Sequence, residues 1–166
     1  MMISAAIQRV LAEKSGSFLI PASKIAIVEE DNPLYHAFLI LTKVKYAKIP
    51  VLNKKGQITG LLSLAMITDK MLDLDGISVK PLNKYKVKDV METDFVSINF
   101  TEKDIETQLH LLVDNNFLPV VDDQGGFQGM ITRREWFKAF NYLAHTFDDH
   151  YVTVDKKQVL KLEAEN

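Results

Sequence analysis

The sequence contains no cysteine. That removes disulfide frameworks, thiolate metal sites and cysteine nucleophiles together. Long apolar runs are also missing: the stretches around residues 37–41 and 60–67 fall far short of the roughly 20 residues that span a bilayer. The opening segment, MMISAAIQRVLAEKSG, reads as an amphipathic helix broken by Arg9, Glu13 and Lys14, not as a signal peptide. Neither sign of charge is in excess, with 20 Lys and Arg against 22 Asp and Glu, so no bulk field draws the chain to nucleic acid or anionic membrane. A cytoplasmic protein without nucleic-acid or membrane partners is expected. What remains is an ordinary globular composition, 47% hydrophobic and 25% charged. Its 166 residues suit one domain or two small, closely packed units.

The chain repeats itself. IPVLNKKGQITGLLS (residues 49–63) aligns without a gap on LPVVDDQGGFQGMIT (residues 118–132), an offset of 69 that sets Pro50 on Pro119, Gly56 on Gly125 and Gly60 on Gly129. The apolar positions exchange like for like, Ile49 with Leu118, Leu52 with Val121, Ile58 with Phe127 and Leu62 with Ile131. In each copy four apolar residues run into a polar, Gly-bearing turn and a second apolar run follows, the pattern of a β-hairpin between buried strands. Proline opening such a run is expected at the first position of its strand, where no ladder donor is lost. Ser63 and Thr132 close the match at the favoured N-cap position of a following helix.

A helix is expected ahead of each hairpin, over residues 33–43 with Pro33 in its first turn, and over 102–114 with Thr101 as cap and Ile105, Leu109 and Leu112 on one face. Short β-branched strands precede these helices at residues 24–28 and 95–98, aligned after a one-residue slip. Each half is therefore strand–helix–strand–strand–helix, and stacking the two buries both apolar sheet faces. The expected fold is α/β (α+β), two such repeats packed about a pseudo-two-fold. The expected layout is an N-terminal helix (1–15), a first repeat (16–73), a linker with Gly76 and Pro81 (74–86), a second repeat (87–146) and a polar tail (147–166).

This pattern resembles a tandem pair of cystathionine-β-synthase (CBS) domains, a Bateman module. The carriers are the two hairpins, the VKDVM stretch at residues 87–91 and the helix after each hairpin. Within the family, the stretches SGSFLIPASKIAIV (15–28), LTKVKYAKIPVL (41–52) and GMITRREWF (129–137) are similar to the small stand-alone CBS proteins of Gram-positive bacteria that bind cyclic di-AMP. The resemblance implies adenine-nucleotide sensing in a cleft between the repeats, without catalysis and without a bound cofactor. It also implies a homodimer that touches a partner protein differently when ligand is bound, such as a (p)ppGpp synthetase or a central metabolic enzyme.

The family's site motif is Gly, two apolar residues, Ser or Thr, two variable residues, then Asp, the acid holding ribose. The second repeat matches at Gly129, Met130, Ile131 and Thr132, with Glu135 at the acid position; the first matches at Gly60 to Ser63 but has Met66 there. One nucleotide per chain is expected. Arg133 and Arg134 fall in the first turn of the following helix, where the helix dipole disfavours each cation by roughly 0.3–1 kcal/mol. Leu64 and Ala65 take those places in the first repeat. A local rule broken in one copy only points to function, and two guanidiniums beside a helix start suit a phosphate. The alternative is solvated arginines, or ones paired with Asp122, Asp123 or Glu135. The resemblance places Lys24, Ile25 and Ala26 at the nucleotide, Ala26 offering backbone groups to an adenine edge and Lys24 reaching phosphate. An ordinary edge strand is the competing reading. Tyr46, in the loop before the Pro50 strand, is a candidate for stacking on adenine or for packing at a helix end; Ala47 and Lys48 carry no signal of their own.

Other motifs carry less. His145, Asp148, Asp149 and His150 lack any recognised metal frame and read as solvated charge, so no metal is expected. His36 and His110 read as helical residues that pack or face solvent. Ser63 lacks the glycines of a nucleophile elbow, and Gly125, Gly126 and Gly129 sit in a hairpin, not in the strand-to-helix turn of a dinucleotide fingerprint. Trp136 and Phe137 read as core or dimer-interface anchors. The function expected is a cytosolic cyclic di-AMP sensor that is not an enzyme. Two other readings stay open: an AMP, ADP or ATP sensor using Glu135 in the same cleft, and a ligand-free interaction module.

Overall fold

The computed structural model describes residues 3–14, 18–101, 104–155 and 157. The chain divides into two compact units, Met1–Phe18 with Arg133–Asn166, and Leu19–Thr132. The elements in chain order are α1 (Ala5–Lys14), β1 (Leu19–Pro21), β2 (Val28–Glu29), α2 (Leu34–Leu41), β3 (Lys48–Leu52), β4 (Ile58–Ser63), α3 (Leu64–Asp69), β5 (Leu72–Asp73), β6 (Gly76–Ile77), β7 (Ile98–Asn99), α4 (Ile105–Asp114), β8 (Phe117–Val121), β9 (Phe127–Thr132) and α5 (Arg133–His150). In the first unit α1 packs against α5. The buried residues of α5, Trp136, Ala139 and Leu143, recur at spacings of three and four on one face. Phe18 stacks on Trp136 with ring centroids 4.2 Å apart.

The second unit holds both hairpins. One sheet runs in the order β2-β3-β4, a second β1-β9-β8-β7, and β5 and β6 form a separate two-stranded pair. Each repeat supplies a parallel pair and an antiparallel hairpin. β2 joins β3 through Val28↔Val51, and β7 joins β8 through Ile98↔Val120. Val51 and Val120 are 69 apart, Val28 and Ile98 are 70 apart, so the one-residue slip in the alignment is real. β3 is buried from Ile49 to Leu52 and β8 from Leu118 to Val120; Val28, Ile49, Val51 and Leu62 join Leu34, Ala37 and Leu41 of α2 and Ile67 of α3 in one core cluster.

The turns repeat to the atom. Asn53 Oδ1 accepts from the Lys55 and Gln57 amides at 2.9 and 3.0 Å, and Asp122 Oδ1 accepts from the Gln124 and Gly126 amides at 2.9 and 2.8 Å. The two turns also meet reciprocally, Ile58 N donating to Gly125 O at 3.2 Å and Phe127 N to Gly56 O at 3.0 Å. That pair of bonds is the pseudo-two-fold relation itself, since each donor and acceptor maps on the other by 69.

Several expectations need correction. Pro50 and Pro119 stand third in β3 and β8, not first. They are tolerated because the parallel neighbours begin pairing one residue later, at Val51 and Val120, so no ladder donor is missed. The strands expected at 24–28 and 95–98 shrink to β2 and β7. Ala22–Lys24 forms a 3-10 turn instead, with Ile25 N bonded to Ala22 O at 3.1 Å, because here the chain leaves β9's sheet for β3's. α4 is capped by Asp104, which accepts from the Glu106 and Thr107 amides at 3.3 and 3.0 Å; Thr101 turns back to Asn99, and residues 102 and 103, the expected helix start, lie outside the described residues. The buried positions of α4 are Gln108 and Leu112. The segment expected as a linker carries β6 and a 3-10 turn at Lys80–Lys84, and its Leu82 is fully buried in the first repeat's core. The expected tail starts inside α5, which runs on to His150, where Phe147 stacks on Tyr151 at 5.1 Å.

Candidate functional site

β9 is the strand on which the second repeat's candidates converge. Its outer edge is taken by β1, pairing Leu19 with Ile131, Ile20 with Met130 and Pro21 with Gly129. This close approach requires glycine: a Cβ on Gly129 would lie 2.2 Å from the Ile20 carbonyl oxygen. β1 in turn sets the Ala22–Lys24 turn against β9. Ile25 is buried among Leu52, Phe127 and Met130. Its side chain is therefore a packing group, and only its main chain is left for a ligand. Ala26 is half-buried and Lys24 exposed on the two sides of it.

Thr132 ends β9 opposite Phe117, and α5 begins at the next residue. Arg133 and Arg134 are thus the first two residues of that helix, as the motif spacing implies. Arg133 is half-buried and Arg134 exposed. Glu135 follows in the same turn and accepts an ion pair from Lys138 Nζ at 2.7 Å. Asp122, named above as an alternative partner for the arginines, is committed to its own turn, and those backbone amides hold its carboxyl below the ordinary carboxylate range. Asp123 likewise accepts from Asn99 Nδ2 at 2.8 Å.

The first repeat's counterpart is built differently. Ser63 Oγ caps α3 by accepting from the Met66 amide at 3.2 Å. Lys48, whose register partner is Ser63, makes an ion pair with Glu92, a contact that no sequence signal marked. Glu92 is fixed by two bonds to Leu61, N to O and O to N, each 2.9 Å. This bridge repeats on β4 what β1 does on β9. Tyr46 is exposed in the loop two residues ahead of Lys48 and so belongs to the first repeat's sheet, while Lys24, Ile25 and Thr132 lie along the second's.

His145, Asp148, Asp149 and His150 all fall in the last turns of α5, and among the described residues no group of three or more His, Cys, Asp or Glu is arranged to hold a metal ion. His36 and His110 are exposed on α2 and α4. Trp136 is buried, whereas Phe137 beside it is 68% exposed. No helix among the described residues is long and apolar enough to cross a membrane.

Comparison with known proteins agrees with this architecture. The CBS domain family model matches residues 17–73 and 87–142. Cyclic di-AMP receptor B of Bacillus subtilis is 34% identical over 84% of this chain and 95% of its own length. Among solved structures, CbpB of Listeria monocytogenes in complex with c-di-AMP is 44% identical, with a TM-score of 0.71 over 81% of this chain and 97% of that one. CbpB of Streptococcus agalactiae is 28% identical, with a TM-score of 0.81 over 94% of this chain and 98% of that one. With two CBS repeats on one chain and full-length relatives of this kind, the chain belongs to the CBS-domain family, in the same group as Cyclic di-AMP receptor B and the CbpB proteins.

Proposed function

We propose that the chain is a non-catalytic cytoplasmic receptor for cyclic di-AMP whose bound and free states differ in affinity for a partner protein. The observation that carries the reading is the arginine pair opening α5 in the second repeat alone, against the preference of the helix dipole. Two guanidiniums suit a ligand with two phosphates, and each can make bidentate charge-assisted bonds. Thr132 stands directly ahead of them. Lys24 and the main chain of Ile25 and Ala26 supply a further cation and adenine-edge donors and acceptors, and Tyr46 a stacking face. The similarity to Cyclic di-AMP receptor B and to CbpB solved with c-di-AMP supports the same ligand.

The output is a homodimer whose contact with a partner, a (p)ppGpp synthetase or a central metabolic enzyme, changes on binding. Coupling of this kind is reciprocal, so the partner must change ligand affinity by the same factor. Calorimetric titration with cyclic di-AMP, AMP and ATP tests the reading. Charged hydrogen bonds contribute roughly 1.5–3 kcal/mol, so Arg133→Met and Arg134→Met should each weaken cyclic di-AMP by about 10- to 150-fold. Equal affinity in the wild type and both variants would sink the reading. Saturation by AMP or ATP alone, lost in Glu135→Ala, would replace it with an energy-charge sensor, and silence from a folded protein would leave an interaction module.

A further inference from the structure

The two repeats share one frame but treat anions in opposite ways. Counting from the parallel strands, Lys24 is four residues ahead of Val28 and Asp94 is four ahead of Ile98, so an acid stands where the second site has a lysine. Counting from the hairpins, Leu64, Ala65 and Met66 replace Arg133, Arg134 and Glu135. Lys48 remains as a cation beside Ser63, and Glu92 already neutralises it.

We propose that the Lys48–Glu92 ion pair shuts the first repeat's counterpart of the ligand site, the Glu92 carboxylate acting as a built-in anion for Lys48. This rests on the reading above for the second repeat and on the expectation of one nucleotide per chain, for which it supplies the physical cause. Glu92 is not a wandering surface side chain. Its backbone is bonded twice to Leu61, and Met91 beside it presses on Gly60 so closely that a Cβ there would lie 2.7 Å from the Met91 sulfur. The lysine and glutamate side chains are 37% and 32% exposed, so an incoming phosphate meets a Lys48 whose charge is already neutralised and must compete with the carboxylate for it. A tethered partner of this kind competes at an effective concentration on the order of millimolar, well above what a signalling nucleotide reaches. Met66 in turn removes the acid that would hold ribose. The pseudo-symmetric module is thereby made one-sided, with one repeat open to ligand and the other closed by its own side chains.

The test compares wild type with Glu92→Ala, using inorganic pyrophosphate as probe and the NMR signals of the Ser63 amide and the Lys48 ammonium as readout. Pyrophosphate is expected to move both signals in Glu92→Ala at a concentration at least about tenfold below that needed in wild type. An equal response in both proteins, or none in either, overturns the proposal. Glu92→Gln, which keeps the shape and removes the charge, is read the same way should the alanine variant not fold. Calorimetry with cyclic di-AMP gives the second arm. Wild type should saturate at one per chain, and Lys48→Met should leave that affinity within about threefold. Two ligands per wild-type chain, or a larger loss in Lys48→Met, places Lys48 in a working site and refutes the closure. Absence of any cyclic di-AMP binding would sink the receptor reading alone, because the pyrophosphate arm still decides what Glu92 does.

Discussion

Gly129→Ala probes the contact on which the second repeat's proposed site is built. The added methyl carbon would sit 2.2 Å from the Ile20 carbonyl oxygen and 2.8 Å from Leu19 Cδ1. The obstacle is backbone in a hydrogen-bonded ladder, so no side-chain rotation relieves it and β1 must move away from β9. Overpacking of this kind costs about 1–3 kcal/mol, and the immovable neighbour together with a φ of +155° places Gly129 at the upper end. The right control is Gly56→Ala: its φ is +74°, but nothing lies within 4 Å of the new Cβ. Its cost is the left-handed conformation alone, roughly 1–2 kcal/mol. At about 2–4 °C per kcal/mol for a chain of this size, Gly129→Ala should melt about 6–12 °C below wild type and Gly56→Ala about 2–8 °C below. Thermal unfolding followed by circular dichroism reads this order. Because β1 leads directly into the Ala22–Lys24 turn, Gly129→Ala should also weaken cyclic di-AMP binding measured below the transition, and Gly56→Ala should not. A Gly129→Ala variant as stable as Gly56→Ala, with full affinity, would refute the claim that β1 must touch β9 for Lys24–Ala26 to be placed.

Three further outcomes are expected. Leu82→Ala should destabilise by about 2–5 kcal/mol in urea denaturation, since Leu82 is fully buried in the core although it lies in the inter-repeat segment. Ser63→Ala removes the cap of α3 and should cost about 1 kcal/mol in the same assay. Asp31 accepts from Lys88 at 2.9 Å and Lys86 at 3.4 Å, which holds its carboxyl below the usual 3.8. A depressed carboxylate stabilises the fold above that value and loses its contribution as pH falls through the lower folded pKa. Asp104 and Asp122 act in the same direction through their turn and cap bonds. Melting temperature should therefore drop as pH is lowered below about 4, and Asp31→Asn should flatten that drop.

The hairpins were legible because two copies of one pattern confirm each other. Asn53 and Asp122 differ in charge, yet each offers one oxygen to two amides, which is what the turn needs. The helix starts were legible only where the cap was adjacent to the apolar run. Ser63 is such a case, while α4 is capped by Asp104 and not by Thr101, because both residue types cap and spacing alone does not choose between them. Ile25 was legible as a position beside the candidate site but not as a buried side chain among Leu52, Phe127 and Met130, since a single strand says little about which face it buries.

The sequence by itself determined the repeat, its offset, the strand–helix–strand–strand–helix order and the one-sided arginine pair, because all of these are local patterns read along the chain. Tertiary structure alone decided that β1 closes on β9, that Glu92 bridges Leu61 and pairs with Lys48, and that Leu82 fills the first repeat's core. Each of those contacts joins residues tens of positions apart, and their partners are chosen by which sheet edge is left open, a property of the assembled fold that no local pattern carries.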